Sequence, residues 1–495
     1  MIFDQLSPPQ GTIRDWLDAR ANESETAVVF PETGETLTWH DLRDSARDIA
    51  QKMAGSGIAK GESVAIIHPN GRDGLIATYA TLYGGFRATM INLAAGPDAI
   101  AYALDHSGAR FAFVHPSQTD IFAKVAPAGV IAFDAEQRSD TAALQDIGPD
   151  DHALLMYTSG TTGKPKGVVH SHSSLLAGGW TTAVAHQLTP QDCGFCVLPI
   201  YHINGLCVTV MGALVSGGSL VMVPKFSASK FWDQVEAGKA TWFSVVPTII
   251  SHLLHGTANP SDDTRTRLRF GRSASSALAV ETQSGFETRF GVPIVETMGL
   301  TETAAQILSN PLPPGTRKIG SPGVGYGNDV QIMTPELTEA PRGTEGEIAI
   351  RGPNVMREYL HNPDATAATF AGDWLRTGDL GRMDEDGYVF VTGRLKELII
   401  KGGENIAPRE IDEVLYSHND IVEAAAFSRP CTQYGERVEA AVAICEGSTL
   451  DETALLMLCA DRLGKFKSPD RVHFMDELPK GPSGKIQRLK LAELL

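Results

Sequence analysis

The sequence predicts an α/β protein with a large N-terminal domain, a β-rich subdomain and a small α+β C-terminal domain. Three observations lead to this fold class. The 495 residues are too many for one compact core. Short apolar runs alternate with helix-like stretches in the first half, as in sheets buried on both faces. After about residue 395 the predicted strands and helices take the pattern of a small, separate α+β unit.

The first half alternates between predicted strands and helices. The strand-like runs are apolar and are bounded by Gly, Pro or polar residues, and they cover 64–69, 88–93, 111–116 and 130–134. Helical stretches at 40–56 and 97–107 lie between them. The alternation continues through FCVLPI, SLVMVP, WFSVVP and PIVETMG, which extends the predicted α/β domain to about residue 300.

A β-rich stretch and then a separate small unit follow. DVQIM, EGEIAIRG and GYVFVTGR are the β-rich runs. We place the boundary within 393–397, which gives domains of 1–395 and 396–495. The second domain is predicted to contain helices at 408–418 and 451–463 and strands near 422–428 and 438–445.

Charge and composition exclude several classes of function. The net charge of −17 argues against non-specific nucleic-acid binding and against a basic membrane patch. We expect no spanning helix, because no run of 18 apolar residues occurs. The N-terminal stretch lacks the features of a signal peptide. The six scattered Cys residues are typical of a reduced chain, so we expect a cytoplasmic protein.

The stretch YTSGTTGKPKG at 157–167 indicates phosphate binding. It is not a Walker A loop, because Pro165 follows the Gly-Lys pair and no Gly stands five residues earlier. Glycines can present backbone N–H groups to an anion, and hydroxyls and lysines add donors and charge. We expect a strand–loop–helix setting; the alternative is an ordinary Gly/Thr-rich surface turn. The candidate phosphate ligands are Thr158, Ser159, Gly160, Thr161, Thr162, Gly163 and Lys166.

Four further stretches carry candidate ligands. In ETMGLTET (296–303), a carboxylate beside hydroxyls can hold Mg²⁺ against phosphate, although a helix N-terminus has the same pattern. Asp379 in WLRTGDL can accept from two ribose hydroxyls or form an Asx-turn. Arg394 lies in a GRLKE cluster and Lys485 in a GPSGK turn, and either side chain alone could simply be solvated.

Together these motifs resemble one family. TSGTTGKPKG, PIYHINGL, MGLTET, WLRTGDLG, GRLKELIIKGGENI and PSGKIQR, in this order, are similar to the adenylate-forming acyl-CoA synthetases, peptide-synthetase adenylation domains and firefly-type luciferases. The resemblance spans nearly the whole chain. It implies a mobile C-terminal domain and two half-reactions that use ATP, Mg²⁺ and coenzyme A. A carboxylate first attacks the α-phosphate of ATP to give an acyl-adenylate and pyrophosphate, and a thiol then attacks the adenylate.

The resemblance also implies residue roles. The 158–167 loop would hold the leaving pyrophosphate, and Lys485 would bridge the carboxylate and the α-phosphate. Glu302 would ligate Mg²⁺ and Thr301 would bond the α-phosphate. The remaining nucleotide ligands would be Thr297, Met298, Gly299, Asp379 and Arg394. Lys396 would be the hinge, and Gly402 and Gly403 would line the passage for the thiol of coenzyme A.

The acid pocket departs from the common pattern. RSASSAL (272–278) lacks the usual Gly and Pro, and with SNPLPPG it resembles the oxalate-CoA ligase branch. Polar donors beside a buried cation suit a short acid with a second anionic group. Gln306 stands where that branch would have His, which favours a malonate-like or sulfonated acid over oxalate. The predicted acid ligands are His202, Arg272, Ser275, Ser276 and Gln306.

Other functions remain open from the sequence. The chain could load a carrier protein instead of coenzyme A, or it could activate an aromatic or medium-chain acid. A nucleotide-binding protein without ligase activity is disfavoured by Lys485, Glu302 and Asp379. We expect a small carboxylic acid as the partner and no nucleic acid or membrane; both a monomer and a homo-oligomer are compatible with the sequence.

Overall fold

A computed structural model describes residues 3–22, 25–138, 140–158, 165–481 and 484–495. Its α-helices are α1 Ile13–Arg20, α2 Trp39–Gly55, α3 Arg72–Gly84, α4 Pro97–Ser107, α5 Thr119–Val125, α6 His172–Ala185, α7 Gly212–Ser216, α8 Phe231–Ala237, α9 Pro247–His255, α10 Asp262–Arg267, α11 Val280–Phe290, α12 Pro363–Thr369, α13 Pro408–Tyr416, α14 Glu452–Lys467 and α15 Arg488–Leu494. A π-helical segment, Asn204–Met211, precedes α7, and short 3₁₀ turns cover Pro116–Gln118 and Thr301–Thr303.

The strands alternate with these helices in the first 300 residues. The strands of the whole described structure are β1 Thr26–Phe30, β2 Glu35–Thr38, β3 Ser63–Ile67, β4 Arg87–Met90, β5 Phe111–Val114, β6 Ile131–Ala132, β7 His152–Thr158, β8 Lys166–Ser171, β9 Cys193–Cys196, β10 Ser219–Met222, β11 Trp242–Val245, β12 Phe270–Ser273, β13 Ile294–Leu300, β14 Ala305–Ser309, β15 Val324–Gly325, β16 Asp329–Met333, β17 Gly346–Arg351, β18 Glu358–Tyr359, β19 Phe370–Ala371, β20 Trp374–Met383, β21 Val389–Arg394, β22 Ile399–Lys401, β23 Glu404–Ile406, β24 Ile421–Cys431, β25 Gly435–Ile444 and β26 Arg471–Phe474.

Helix α2 illustrates how the sequence determines these elements. Thr38 caps the helix, because its hydroxyl oxygen accepts from the N–H of Asp41 and the Asp41 carboxylate accepts from the N–H of Thr38. The side chains that repeat every three or four residues are fully buried, and α2 packs with this face against α3. They are Leu42, Ala46, Ala50 and Met53.

Two sheets form the centre of the N-terminal part. The nine-stranded sheet has the order β15-β14-β13-β12-β11-β9-β10-β1-β2, and its strands from β13 to β1 are parallel. The seven-stranded sheet has the order β18-β8-β7-β4-β3-β5-β6. Helices cover these sheets, and the strands are almost continuously apolar and buried, as a parallel sheet covered on both faces requires. The predicted α/β fold class is confirmed.

A smaller antiparallel sheet and the C-terminal sheet complete the fold. The first joins β16-β17-β20-β19, with β21 paired to β20. The second joins β23-β22-β25-β24, with β26 paired to β25, and α13, α14 and α15 pack around it with a core of their own. The predicted boundary at 395/396 lies in the turn between β21 and β22. No helix within the described ranges is long and apolar enough to cross a membrane.

One predicted setting is wrong. The phosphate-loop motif was expected to connect a strand to a helix, but it connects the antiparallel strands β7 and β8, in which Thr158 pairs with Lys166. The run KGVVHS contains the β-branched pair Val168 and Val169 and pairs with β7, so α6 begins only at His172. The motif therefore joins two paired antiparallel strands and not a strand and a helix.

Candidate active site

A cavity of about 200 Å³ lies where the end of β13, strands β20 and β21, and the segment before α15 meet. It therefore lies between the large N-terminal part and the C-terminal unit. The cavity brings together eight of the residues predicted from the sequence, although the first and the last of them are more than 200 positions apart in the chain. They are Ser275, Ser276, Thr297, Met298, Gly299, Asp379, Arg394 and Lys485.

Asp379 and Arg394 face each other across β20 and β21. The two residues are direct partners in the strand register, and Arg394 Nε lies 3.0 Å from Asp379 Oδ1. The pKa of Asp379 is raised because burial disfavours its charge, and Arg394 and Lys485 oppose that effect. The pair thus holds a carboxylate and a guanidinium at the wall of the cavity, where ribose hydroxyls could bond to both.

Lys485 reaches the same wall from the C-terminal unit. Its Nζ is 3.8 Å from Glu397 Oε1, and desolvation in the cavity lowers the pKa of its ammonium group. The preceding residue, Gly484, accepts a hydrogen bond through its carbonyl from the hydroxyl of Thr248 at the start of α9, over 3.1 Å. The N-terminal part therefore holds the backbone beside Lys485 in place.

The end of β13 forms the wall opposite Lys485. Its side chains continue outward from a buried strand, and Thr297 donates its hydroxyl to the carbonyl of Ser273 over 3.1 Å. Gly299 lies at a bulge between β13 and β14, where a Cβ atom would be only 1.6 Å from the carbonyl oxygen of Ala305. Glycine is required there, and it lets the neighbouring Met298 present a polarizable side chain to the cavity.

Glu302 lies beside the hairpin that carries the phosphate loop. Tyr359 donates its hydroxyl to Glu302 Oε1 over 2.7 Å, and Lys166 Nζ lies 4.3 Å from the centre of the Tyr359 ring. Within the described ranges, no group of three or more His, Cys, Asp or Glu side chains could hold a metal ion by itself. One carboxylate near a phosphate site fits Mg²⁺, which commonly takes one or two carboxylates and completes its shell with phosphate and water oxygens.

Thr301 is held by a buried histidine. His170 Nε2 lies 2.6 Å from the carbonyl oxygen of Thr301, and its Nδ1 lies 3.0 Å from Ser174 Oγ. Because a carbonyl only accepts, Nε2 carries the proton and Nδ1 accepts from the Ser174 hydroxyl. Burial lowers the pKa of His170 to about 4, so the ring is neutral at pH 7.

Only part of the predicted phosphate loop is described. Thr158 and Lys166 flank the hairpin tip at the ends of β7 and β8. Ser159, Gly160, Thr161, Thr162 and Gly163 lie outside the described residues, so their predicted contacts remain predictions.

Arg272 lies behind the cavity, in the centre of β12. Its side chain is 1% exposed, and its Nη1 donates to Asn204 Oδ1 over 2.9 Å and to Ser244 Oγ over 3.1 Å. Its Nε has no partner in the part of the chain that the structure describes. Burial alone lowers its pKa to about 9, with no contribution from a nearby acid. Arg272 is thus a buried cation among neutral partners.

His202 and Gln306 add further buried polar atoms without partners. Burial lowers the pKa of His202 to about 4, and its Nε2 has no hydrogen-bond partner among the described residues. Gln306 donates through Nε2 to the carbonyl of Thr181, whereas its Oε1 has no partner within the described ranges. Gln306 lies in β14, and His202 lies two residues before the π-helical segment; β14 and that segment pack against each other and against α6. Neither residue lines the cavity, so their predicted contacts with an acid remain predictions.

The predicted hinge lies next to the cavity, and the predicted coenzyme A passage lies outside the cavity lining. Gly402 and Gly403 form the two-residue turn between β22 and β23, with φ of +60° and +88°. Both positions favour glycine for conformational reasons, and the space around Gly403 is open. Lys396 is exposed in the turn between β21 and β22.

Sequence reasoning missed several residues of the site. Thr248 and Asn204 are neutral polar residues; Thr248 lies in no quoted motif, and Asn204 lies in PIYHINGL without a charge that would single it out. His170 and Tyr359 act through long-range contacts that no local pattern reveals. Glu296 is 2% exposed, its Oε1 accepts from the N–H of Leu278, and burial raises its pKa to about 7. Its position in the quoted ETMGLTET motif was the one available signal.

Family comparisons agree with this arrangement. Residues 16–360 match the family described as AMP-binding enzyme, and residues 410–485 match the AMP-binding enzyme C-terminal domain. The two matches include both sides of the cavity.

Individual relatives are similar over nearly their full length. A sulfoacetate–CoA ligase of Cupriavidus necator is 44% identical over 479 residues, which cover 94% of each chain. An oxalate–CoA ligase of Arabidopsis thaliana is 35% identical over 92% of each chain. The crystal structure of ATP-bound MatB from Rhodopseudomonas palustris superposes with a TM-score of 0.90 at 31% identity, over 98% of each chain.

Proposed function

This chain belongs to the AMP-binding enzyme family, and we propose that it joins a small, doubly anionic carboxylic acid to coenzyme A. It is an ATP-dependent, AMP-forming acyl-CoA synthetase that uses ATP with Mg²⁺ and coenzyme A. The proposal concerns the acid and the residues that recognise it. We also propose that the enzyme acts in the cytoplasm, because its six cysteines are free thiols.

The observation that carries the proposal is the buried guanidinium of Arg272. A fully buried charge is stable only when an opposite charge or several dipoles compensate it. The described residues offer Arg272 only neutral partners, so the missing anion would come with the acid. The carboxylate that reacts must stay near the nucleotide, so Arg272 would hold a second anionic group. The argument for a second anionic group uses the charge of Arg272, and it agrees with the substrates named for the relatives, sulfoacetate and oxalate.

We propose the following roles at the nucleotide end. Lys485 would lie between the attacking carboxylate and the α-phosphate, where a single cation reduces the repulsion between two anions. Asp379 and Arg394 would hold the ribose. Glu302 would ligate Mg²⁺, which supplies positive charge to the phosphates. Thr301 would donate to the α-phosphate, and His170 would fix its backbone.

The second half-reaction requires another arrangement of the two domains. We propose that residues 396–495 rotate about Lys396 after the adenylate forms, withdrawing Lys485 and bringing Gly402 and Gly403 to the cavity. The contact between Thr248 and Gly484 belongs to the first arrangement, because it joins the two domains beside Lys485.

The experiment is pyrophosphate release by the purified protein with ATP, Mg²⁺ and coenzyme A. The acids would be sulfoacetate, malonate, oxalate, acetate, benzoate and octanoate. We expect one of the three doubly anionic acids to be preferred. A preference for benzoate or octanoate would keep the ligase chemistry and refute the anionic pocket. Activity that appears only with a phosphopantetheinylated carrier protein would refute coenzyme A as the acceptor.

A variant pair tests the role of Arg272 directly. Arg272→Met keeps most of the side-chain volume and removes the charge, so we expect kcat/KM for the preferred acid to fall on the order of 100-fold. Arg267→Met is the matched control, because the bonds that the structure gives Arg267, to Ala240 and Thr264, lie outside the cavity lining. Equal effects of the two variants would remove Arg272 from the acid site.

A further inference from the structure

Asn204 connects the buried cation to the wall of the cavity. Its Oδ1 accepts from Arg272 Nη1 over 2.9 Å and from Ser244 Oγ over 3.1 Å. Its Nδ2 donates to Ser275 Oγ over 3.3 Å, and Ser275 lines the cavity. Asn204 is the first residue of the π-helical segment, a conformation often found at functional sites. The four residues form one hydrogen-bonded chain from β11 and β12 to the cavity.

The chemistry of arginine fixes the direction of every bond in this chain. Arginine has no acceptor, so the Asn204 atom that faces it must be the oxygen. The amide NH₂ group then faces Ser275 and must donate to the serine oxygen. Because that oxygen accepts from Asn204, the Ser275 hydroxyl is free to donate its proton into the cavity. The donors from Arg272, through Asn204, to Ser275 therefore favour an anion there.

The amide also preserves the charge of Arg272. An aspartate of the same shape would accept the same bond but would neutralise the guanidinium at about 3 Å. It would also accept a hydrogen bond from the Ser275 hydroxyl, because a carboxylate has no N–H to donate. Both changes would reduce the attraction for an incoming anion.

We propose that Asn204 is a positioning residue that determines specificity for the second anionic group of the acid. It does so by bonding Arg272 without cancelling its charge and by turning the Ser275 hydroxyl toward the cavity. This inference rests on the proposed function, because it assumes that the acid carries a second anion.

The test compares two acids that differ in one charge. Sulfoacetate carries a sulfonate, and methylsulfonylacetate is its neutral sulfone of nearly equal size. We expect Asn204→Asp to lower the ratio of kcat/KM for these acids on the order of 100-fold, with most of the change in KM for sulfoacetate. We also expect the ligand-free variant to melt about 2 °C higher, because the new carboxylate pairs with Arg272.

A double-mutant cycle shows whether Asn204 acts through Arg272. With Arg272→Met in place, Asn204→Asp should change the ratio of kcat/KM for the two acids by less than about two-fold and should no longer raise the Tm.

An equal loss of kcat/KM for both acids, or the same effect of Asn204→Asp with and without Arg272, would overturn the inference. Wild-type enzyme without preference for any of the three doubly anionic acids would refute the proposed function and this inference together. A wild-type preference that survives Asn204→Asp would refute this inference alone.

Discussion

Thr248, at the N-terminus of α9, donates its hydroxyl over 3.1 Å to the carbonyl of Gly484, the residue before Lys485. The bond crosses from the N-terminal part to the C-terminal unit, and both residues are next to the cavity. A Cβ atom at Gly484 would lie 2.9 Å from a methyl of Val246, so the backbone of Gly484 packs closely against the side chain of Val246. The contact thus stabilises the arrangement in which Lys485 reaches the cavity.

Loss of this bond should slow only the first half-reaction. A neutral hydrogen bond contributes about 1 kcal/mol, so Thr248→Val should lower the rate of adenylate formation about five-fold. Thioester formation from pre-made adenylate should be unchanged, because the proposed rotation withdraws Lys485 from the cavity before that step. Single-turnover measurement of each half-reaction tests this, with Thr248→Ser as the control that retains the hydroxyl.

Lys485→Ala provides the upper limit of the same effect. We expect adenylate formation to be nearly abolished while thioester formation from pre-made adenylate survives. Equal losses in the two half-reactions would remove Lys485 from its proposed role and would also weaken the interpretation of Thr248.

The hydroxyl of Tyr359 should orient the carboxylate of Glu302, the proposed Mg²⁺ ligand. Tyr359→Phe keeps the ring that Lys166 contacts and removes the hydroxyl that donates to Glu302. We expect the apparent Kd for Mg·ATP to rise about three- to ten-fold, because removing an outer-shell bond leaves the carboxylate less well oriented. Titration with Mg²⁺ at fixed ATP measures this, and Glu302→Gln should have a much larger effect. Unchanged Mg²⁺ dependence in Tyr359→Phe would separate the hydroxyl from the metal site.

Much of this arrangement could be predicted from the sequence, because local motifs carry it. The glycines, hydroxyls and charges of the nucleotide site occur in short segments with strong signals, and Asp379, Arg394 and Lys485 line one cavity. The fold class followed from apolar runs that alternate with helical stretches. Short motifs and the periodicity of apolar residues are both local properties of the sequence, so they can be recognised without the folded structure.

The missed features depend on pairing across the chain. The strand–loop–helix prediction is wrong, because the sequence does not show that Val168 and Val169 pair with β7. Asn204 stands inside a quoted motif, yet its importance depends on Arg272, 68 positions away. His170 is a similar case, since its partner Thr301 is 131 positions away. Long-range partners of this kind are visible only in the folded chain.

His170 should make the enzyme sensitive to mild acid. Burial lowers its pKa from 6.5 to about 4, so the unfolded chain binds the proton more readily between these values. Stability is therefore complete above about pH 6.5 and declines as the pH falls toward 4, by at most roughly 3 kcal/mol for this group. His170→Gln removes the titration and can still donate to Thr301, so the loss of Tm between pH 7 and about pH 4.5 should become smaller. It should not vanish, because His172 and His202 have similarly lowered pKa values.

Glu296 should make the folded protein less stable as the pH rises, which is the opposite of the effect of His170. Its buried carboxyl has Oε2 without a partner among the described residues, and burial raises its pKa from 4.5 to about 7. The folded state therefore holds this proton more tightly, and stability is lost as the pH rises through 7, by at most roughly 3 kcal/mol. Glu296→Gln keeps an oxygen to accept from Leu278 and cannot ionise. We expect it to raise the Tm near pH 8 and to change it little near pH 5, which thermal unfolding at the two pH values measures. A Tm change of the same size at both pH values would mean that packing, and not the charge of Glu296, sets its contribution to stability.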